Sequence, residues 1–164
     1  MDMTRETSAG ERPLVNTQQI GRCGELLVQY KLLRLGIESA PMTTDAGVDL
    51  VAYAASSHRA VTIQVKCTDG PKPGGGKGKP ALDWRISDNC PSELAAFVDL
   101  WTDTAWLLTK PELAQLAQQH AGGKYHFYMW VDATVKPRTG KLALRAEFDG
   151  YLLESRAKVL LAAR

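Results

Sequence analysis

Gly47-Val48-Asp49-Leu50-Val51-Ala52-Tyr53 and, after a short connection, Ala60-Val61-Thr62-Ile63-Gln64-Val65-Lys66-Cys67 decide how this chain folds. Apolar and polar residues alternate through both runs with the period of two that marks strands. Ala54-Ala55-Ser56-Ser57-His58-Arg59 between them is short enough for a hairpin. On the second run Val61, Ile63, Val65 and Cys67 share one face and Thr62, Gln64 and Lys66 the other. An antiparallel register centred between Ser56 and Ser57 sets Asp49 opposite Gln64, and a slip of two residues sets it opposite Lys66. Either register gathers Asp49, Gln64 and Lys66 on one face. A slip of one would turn Asp49 toward the aliphatic run, which burial disfavours. Val51 and Tyr53 share the Asp49 face, so that face is covered at one end and polar at the other, as a cleft at a sheet edge is.

Working outward, Asn16 or Thr17 caps a helix running to about Leu35, with Gly36 as its stop. Ile37 to Ala40 forms a short strand before Pro41. Beyond the hairpin, Gly70 to Ala81 is loop-like and Leu82 to Ile86 is a strand. Pro91 opens a helix to about Asp99, and Thr104 to Thr109 is a buried strand. Pro111 opens a further helix stopped by Gly122-Gly123. Tyr125–Val131 and Leu142–Arg145 pair as a second hairpin, and Asp149 caps a last helix to about Leu161. The expected architecture is α/β: helix, three strands, helix, strand, as a mixed sheet flanked by helices, with a C-terminal strand–helix extension. At 164 residues and 45% hydrophobic composition, one domain is the simplest count. Its core would span 16–110 and its extension 111–164, after a flexible 1–15.

The first helix places Gly21, Gly24, Glu25 and Val28 on one face. Two glycines beside one carboxylate mark either close helix–sheet packing or the approach of a ligand. Phosphodiester cleavage needs added negative charge neutralised and a water activated, and a divalent metal does both. Mg²⁺ takes oxygen ligands, commonly one or two carboxylates with phosphate and water. Asp49 is the anionic ligand for Mg²⁺ or Mn²⁺, with the Gln64 side-chain oxygen and the Val65 backbone carbonyl as neutral ones. Glu25 holds a metal-bound water or a second ion, and Lys66 orients the attacking water or stabilises phosphate charge. Asp45 reads as a turn residue in Thr43-Thr44-Asp45-Ala46-Gly47.

In order, Gly21-Arg22-Cys23-Gly24-Glu25, Gly47-Val48-Asp49-Leu50-Val51-Ala52 and Ile63-Gln64-Val65-Lys66 resemble the PD-(D/E)XK nuclease superfamily. The resemblance is greatest to Holliday junction resolvase-like and Mrr-type restriction endonucleases. It covers 17–109, and its catalytic part 21–66. It implies a restriction-endonuclease-like core and metal-dependent hydrolysis of DNA in repair, recombination or restriction, with a homodimer as a common assembly. By position Glu25 matches the helix acid, Asp49 the metal-binding Asp, Gln64 the second acid and Lys66 the catalytic Lys. Val48 stands where the name-giving Pro would be, and Gln64 replaces an acid, as in the Mrr-like branch. One negative charge fewer weakens metal binding, so a non-cleaving module that binds nucleic acid or a protein is the alternative.

The net charge is only +2, yet residues 59–85 alone carry +4. Lys72, Lys77, Lys79 and Arg85 follow the catalytic strand and are expected to contact a phosphate backbone. The Gly/Lys loop is no phosphate-binding P-loop, because Gly78 and Pro80 follow its lysines where Ser or Thr is required. Cys23, Cys67 and Cys90 are scattered, which excludes a disulfide framework and a zinc knuckle. The lack of a Gly-x-Ser-x-Gly elbow leaves a serine hydrolase without support. Trp84, Trp101, Trp106 and Trp130, with Tyr125, Phe127 and Tyr128, read as core or interface. The opening Met1-Asp2-Met3-Thr4-Arg5-Glu6 has no apolar leader core and no stretch is long enough to span a membrane, so the expected location is the cytoplasm.

Overall fold

The computed structural model describes residues 14–44, 46–137 and 140–162. Helix α1 spans Thr17–Arg34 and begins with a reciprocal cap. The Asn16 side chain accepts from the Gln19 amide, and the Gln19 side chain accepts from the Asn16 amide, both at 2.9 Å. Strands β1 (Ile37–Pro41), β2 (Leu50–Ala54) and β3 (Arg59–Thr68) follow as an antiparallel meander. Leu50 pairs with Ile63 and Ala54 with Arg59, the register centred between Ser56 and Ser57.

The next elements depart from the sequence reading. Beyond β3 the chain makes β4 (Lys72–Pro73), a 3₁₀ turn (Gly74–Gly76) and β5 (Pro80–Ser87). The expected helix 91–99 is instead strand β6 (Leu94–Asp99), parallel to β3. Every residue of β6 is buried. Leu94, Ala96 and Val98 pack in one core cluster, Ala95 and Phe97 in another. A strand covered on both faces carries a continuous apolar run, which periodicity alone does not separate from a helix. β7 (Thr104–Thr109) then pairs antiparallel with β6, completing the sheet order β1-β2-β3-β6-β7.

Helix α2 covers only Lys110–Leu116, because Gln119–Ala121 leaves it to form β8. Gly122 and Gly123, both at positive φ (59° and 70°), turn β8 into β9 (Lys124–Trp130). β9 therefore pairs with β8 and β5, and Leu142–Arg145 contributes a single bridge, Trp130 to Leu144. Arg145–Tyr151 is a 3₁₀ helix, and the last helix, α3, starts at Leu153 rather than Asp149 and ends at Leu160.

The result is a mixed α/β fold with two layers of core. On one side, α1 and α3 bury Val28, Leu32, Leu153 and Ala157 against Leu50, Ile63 and Val65 of the five-stranded sheet. On the other, a second sheet, β4-β5-β9-β8, lays Leu82, Trp84, Phe127 and Met129 against Phe97, Trp106 and Leu108. Trp84 stacks on Phe97 with centroids 5.2 Å apart, and its indole N–H donates to the Val98 carbonyl at 3.2 Å. The sequence reading expected helices to flank the sheet; it read Leu82–Ile86 and Tyr125–Val131 as strands but did not pair them into a second sheet covering this side. Among the described residues, no helix is long and apolar enough to cross a membrane.

Candidate functional site

Asp49 lies one residue before β2 and is tied to three neighbours. Its amide donates to the Ile63 carbonyl (3.0 Å), its carbonyl accepts from the Met42 amide (2.8 Å), and its carboxylate accepts from the Val65 amide (2.6 Å). Backbone and side chain are thus held at the edge where β2 begins, beside the middle of β3.

Gly47 sets this position. Its φ is +79°, and an added Cβ would sit 2.7 Å from Cδ of Pro91. Its carbonyl accepts from the Ser92 hydroxyl at 2.7 Å, and the Cys90 sulfur packs 3.6 Å from it. Ser92 and Cys90, buried before β6, therefore hold the Asp49 segment from the far side of the sheet. The sequence reading did not single them out. Their signal was only two small polar side chains flanking Pro91.

Glu25 and Asp49 line one open cavity of about 360 Å³, with Gln18, Gly21, Thr43 and Val48 among its walls. Gly21 opens onto it: a Cβ there would meet nothing within 4 Å. Gly24 is the packing glycine, since its Cβ would fall 2.6 Å from Cβ of Cys67. The two glycines of α1 thus do different things, one admitting β3 and the other leaving room. Glu25 is paired with Arg22 one turn back at 2.6 Å, with both side chains partly exposed.

Gln64 and Lys66 stand elsewhere. Val65 turns toward α1, its Cγ1 within 3.5 Å of where a Gly24 Cβ would be, so by alternation Gln64 and Lys66 face the other way. Neither lines the cavity of Glu25 and Asp49. Gln64 is only 6% exposed, and its side-chain oxygen accepts from the Cys90 thiol at 3.0 Å. Lys66 is half-buried, with no hydrogen bond or ion pair among the described residues. The Val65 backbone is common to both sets. Asp45 lies outside the described residues. Among the described residues no group of three His, Cys, Asp or Glu side chains is arranged to hold a metal.

Of the basic residues, Lys79 is committed to Asp132 at 2.7 Å and to the Thr134 hydroxyl at 3.2 Å. The Lys79 and Thr134 hydrogen bonds hold the Asp132 carboxyl below the usual range. Lys79 closes the β4–β5 hairpin, with its ammonium on Asp132. The Gly/Lys segment is itself a closed hairpin, with Gly74 N–H on the Lys79 carbonyl and Gly78 N–H on the Gly74 carbonyl. Lys72, Lys77 and Arg85 are exposed.

Burial pushes the Cys67 thiol up to about 12, with nearby Cys23, Asp69 and Asp99 adding to it. It is a packing group without thiolate character at neutral pH. Ellman's reagent at pH 8 is expected to titrate exposed Cys23 quickly, and Cys67 and Cys90 only on unfolding. Three fast thiols would contradict the packing of α1 on β3.

No protein-family model matches the chain, and no curated protein matches it. Its fold is that of a solved structure described as a bacterial homing endonuclease, I-Ssp6803I. The two share a TM-score of 0.59 over 90% of this chain and 93% of that one, at 15% identity. At that identity the likeness is one of fold.

Proposed function

We propose that the chain is a metal-dependent endonuclease that hydrolyses phosphodiester bonds in DNA. The observation that carries the reading is the meeting of Glu25 and Asp49 in one open cavity, with Asp49 fixed by the Val65 amide. A fold shared with a homing endonuclease supports it, as does the order of Glu25, Asp49 and Lys66 along the chain.

Two carboxylates around an open space are a hard-oxygen donor set that fits Mg²⁺ or Mn²⁺. Asp49 would hold the ion, with the Val65 carbonyl as a neutral donor and Glu25 holding a coordinated water after leaving Arg22. Gln64 joins that set only by releasing the Cys90 thiol. A divalent ion bound there supplies charge neutralisation for a phosphate oxygen and lowers the pKa of water. Lys66 lies on the other face of β3 from this cavity and would serve the phosphate or the attacking water only by extending its long side chain toward the cavity's open end.

The second reading, a nuclease fold that binds nucleic acid or a protein without cutting, is favoured by one observation. Both side groups that would complete the ligand set are engaged, Gln64 by Cys90 and Glu25 by Arg22. The test is cleavage of plasmid, branched and single-stranded DNA with Mg²⁺ or Mn²⁺, wild type beside Lys66→Ala. The expected result is metal-dependent cutting by the wild type that falls about 10²–10³-fold in the variant, the scale of losing one charge-stabilising group. Salt-sensitive DNA binding with no cutting by either protein would establish the second reading instead.

A further inference from the structure

The outer face of the second sheet is built unlike its inner face. β9 alternates, sending Phe127 and Met129 into the core and leaving His126, Tyr128 and Trp130 half-exposed. The three rings run as a continuous stripe, with centroids 5.7 Å apart from His126 to Tyr128 and 5.9 Å from Tyr128 to Trp130. Trp130 is braced by the hairpin, since a Cβ on Gly74 would lie 2.5 Å from its ring. Beside the stripe lies a hollow of about 340 Å³, with Asp83 and Gln119 on its wall.

That hollow is the end of a longer groove. Asp83 and Gly74 are shared with a second hollow that reaches Thr68, two residues beyond Lys66 on β3. Gly70 and Lys72 are shared with a third, walled by Trp101, which is 59% exposed. Aromatic rings therefore stand at both ends of one groove that passes the end of the strand carrying Lys66.

We infer that this groove binds a single-stranded stretch of nucleic acid, stacking unpaired bases on Tyr128 and Trp130. The inference rests on the reading of the chain as one that acts on nucleic acid. Bases expose their ring faces only when unpaired, and aromatic side chains in a basic groove are the recurrent way to hold them. Lys72 lines the groove and Lys77, Arg85 and Lys124 are exposed around it, outnumbering Asp69 and Asp83 on its wall; Asp83 is hydrogen-bonded to His126 at 2.7 Å. The cations suit phosphates, and the ring faces of Tyr128 and Trp130 suit unpaired bases. A second copy of the chain would bring the same excess of positive charge against itself, which opposes docking.

The test is fluorescence anisotropy of the full chain with labelled oligo-dT and a duplex of equal length, without divalent metal. Tyr128→Ala is expected to weaken oligo-dT binding about 5- to 150-fold, the range for losing one stacked base. It should leave duplex binding unchanged, with Tyr128→Phe close to wild type. Equal oligo-dT affinity in wild type and Tyr128→Ala overturns the inference, as does equal weakening for both DNAs. Dimerisation of the wild type abolished by Tyr128→Ala, with no DNA binding, overturns it in favour of a self-interface. Photocrosslinking of iodouracil-containing oligonucleotide to the wild type reads the same question without a variant. The adduct is expected within residues 124–130, and one mapped only elsewhere refutes the platform. Oligo-dT binding that depends on Tyr128 in a chain that cuts nothing leaves this inference standing and removes only the nuclease.

Discussion

Asp49→Asn is expected to abolish cleavage while the protein stays folded. The amide oxygen of Asn can still accept from the Val65 amide, so the 2.6 Å contact that fixes the start of β2 survives. What disappears is the negative charge. Mg²⁺ sites rely on one or two carboxylates, and the cavity offers Asp49 and a Glu25 already paired with Arg22. Cleavage should fall at least about a hundredfold, the scale of removing one preorganised electrostatic group. Calorimetric Mn²⁺ binding should weaken in parallel. Asp49→Ala adds a structural cost, because the Val65 N–H loses its acceptor; an unpaired buried donor costs about 1–3 kcal/mol. The pair of variants therefore separates charge from scaffold. Full activity in Asp49→Asn would sink the assigned site, and equal melting of the two variants would show that the Val65 bond contributes nothing.

The largest expected effect on stability comes from Gly47→Ala. A left-handed φ of +79° strains any L side chain, and the new Cβ would lie 2.7 Å from Cδ of Pro91. Backbone strain and overpacking each cost on the order of 1–3 kcal/mol, so a loss of about 2–4 kcal/mol is expected. For a chain of this size that lowers Tm by about 5–15 °C. The same change pushes on the segment whose carbonyl Ser92 and Cys90 hold, so activity should fall at temperatures where the variant is still folded. Adding Pro91→Ala removes the Cδ and Cγ atoms and should recover the steric share but not the strain. A Gly47→Ala protein melting within about 1 °C of wild type would refute this tight seat.

The two variants probe features of different legibility. Asp49 was readable because a two-residue alternation with a short connection rules out an odd slip and leaves two registers; the one centred between Ser56 and Ser57 is observed. The α1 boundaries were readable for a similarly local reason: Asn16 or Thr17 caps a helix and Gly36 stops it, and the structure selects Asn16, with Gln19 completing the cap. Leu94–Asp99 was not readable. A run of six buried residues looks alike in a helix and in a strand covered on both sides, and only the second sheet against Ala95 and Phe97 decides between them. Gly122-Gly123 was read as a helix stop and is a hairpin turn, since what its neighbours pair with lies outside any local window.

The site divides in the same way. Local pattern determined by itself that Asp49 belongs to the first strand of a hairpin, opposite Gln64 or Lys66, that Glu25 follows a glycine-lined helix face, and that Gln64 and Lys66 share one side of the second strand. These depend only on backbone periodicity and on which face must be buried. Tertiary structure decided which of them meet. It joined Glu25 with Asp49 in one cavity, gave Gln64 to the Cys90 thiol and Lys79 to Asp132, and turned His126, Tyr128 and Trp130 outward. Those partners lie on elements far apart in sequence, and a side chain's engagement is fixed only when such elements pack.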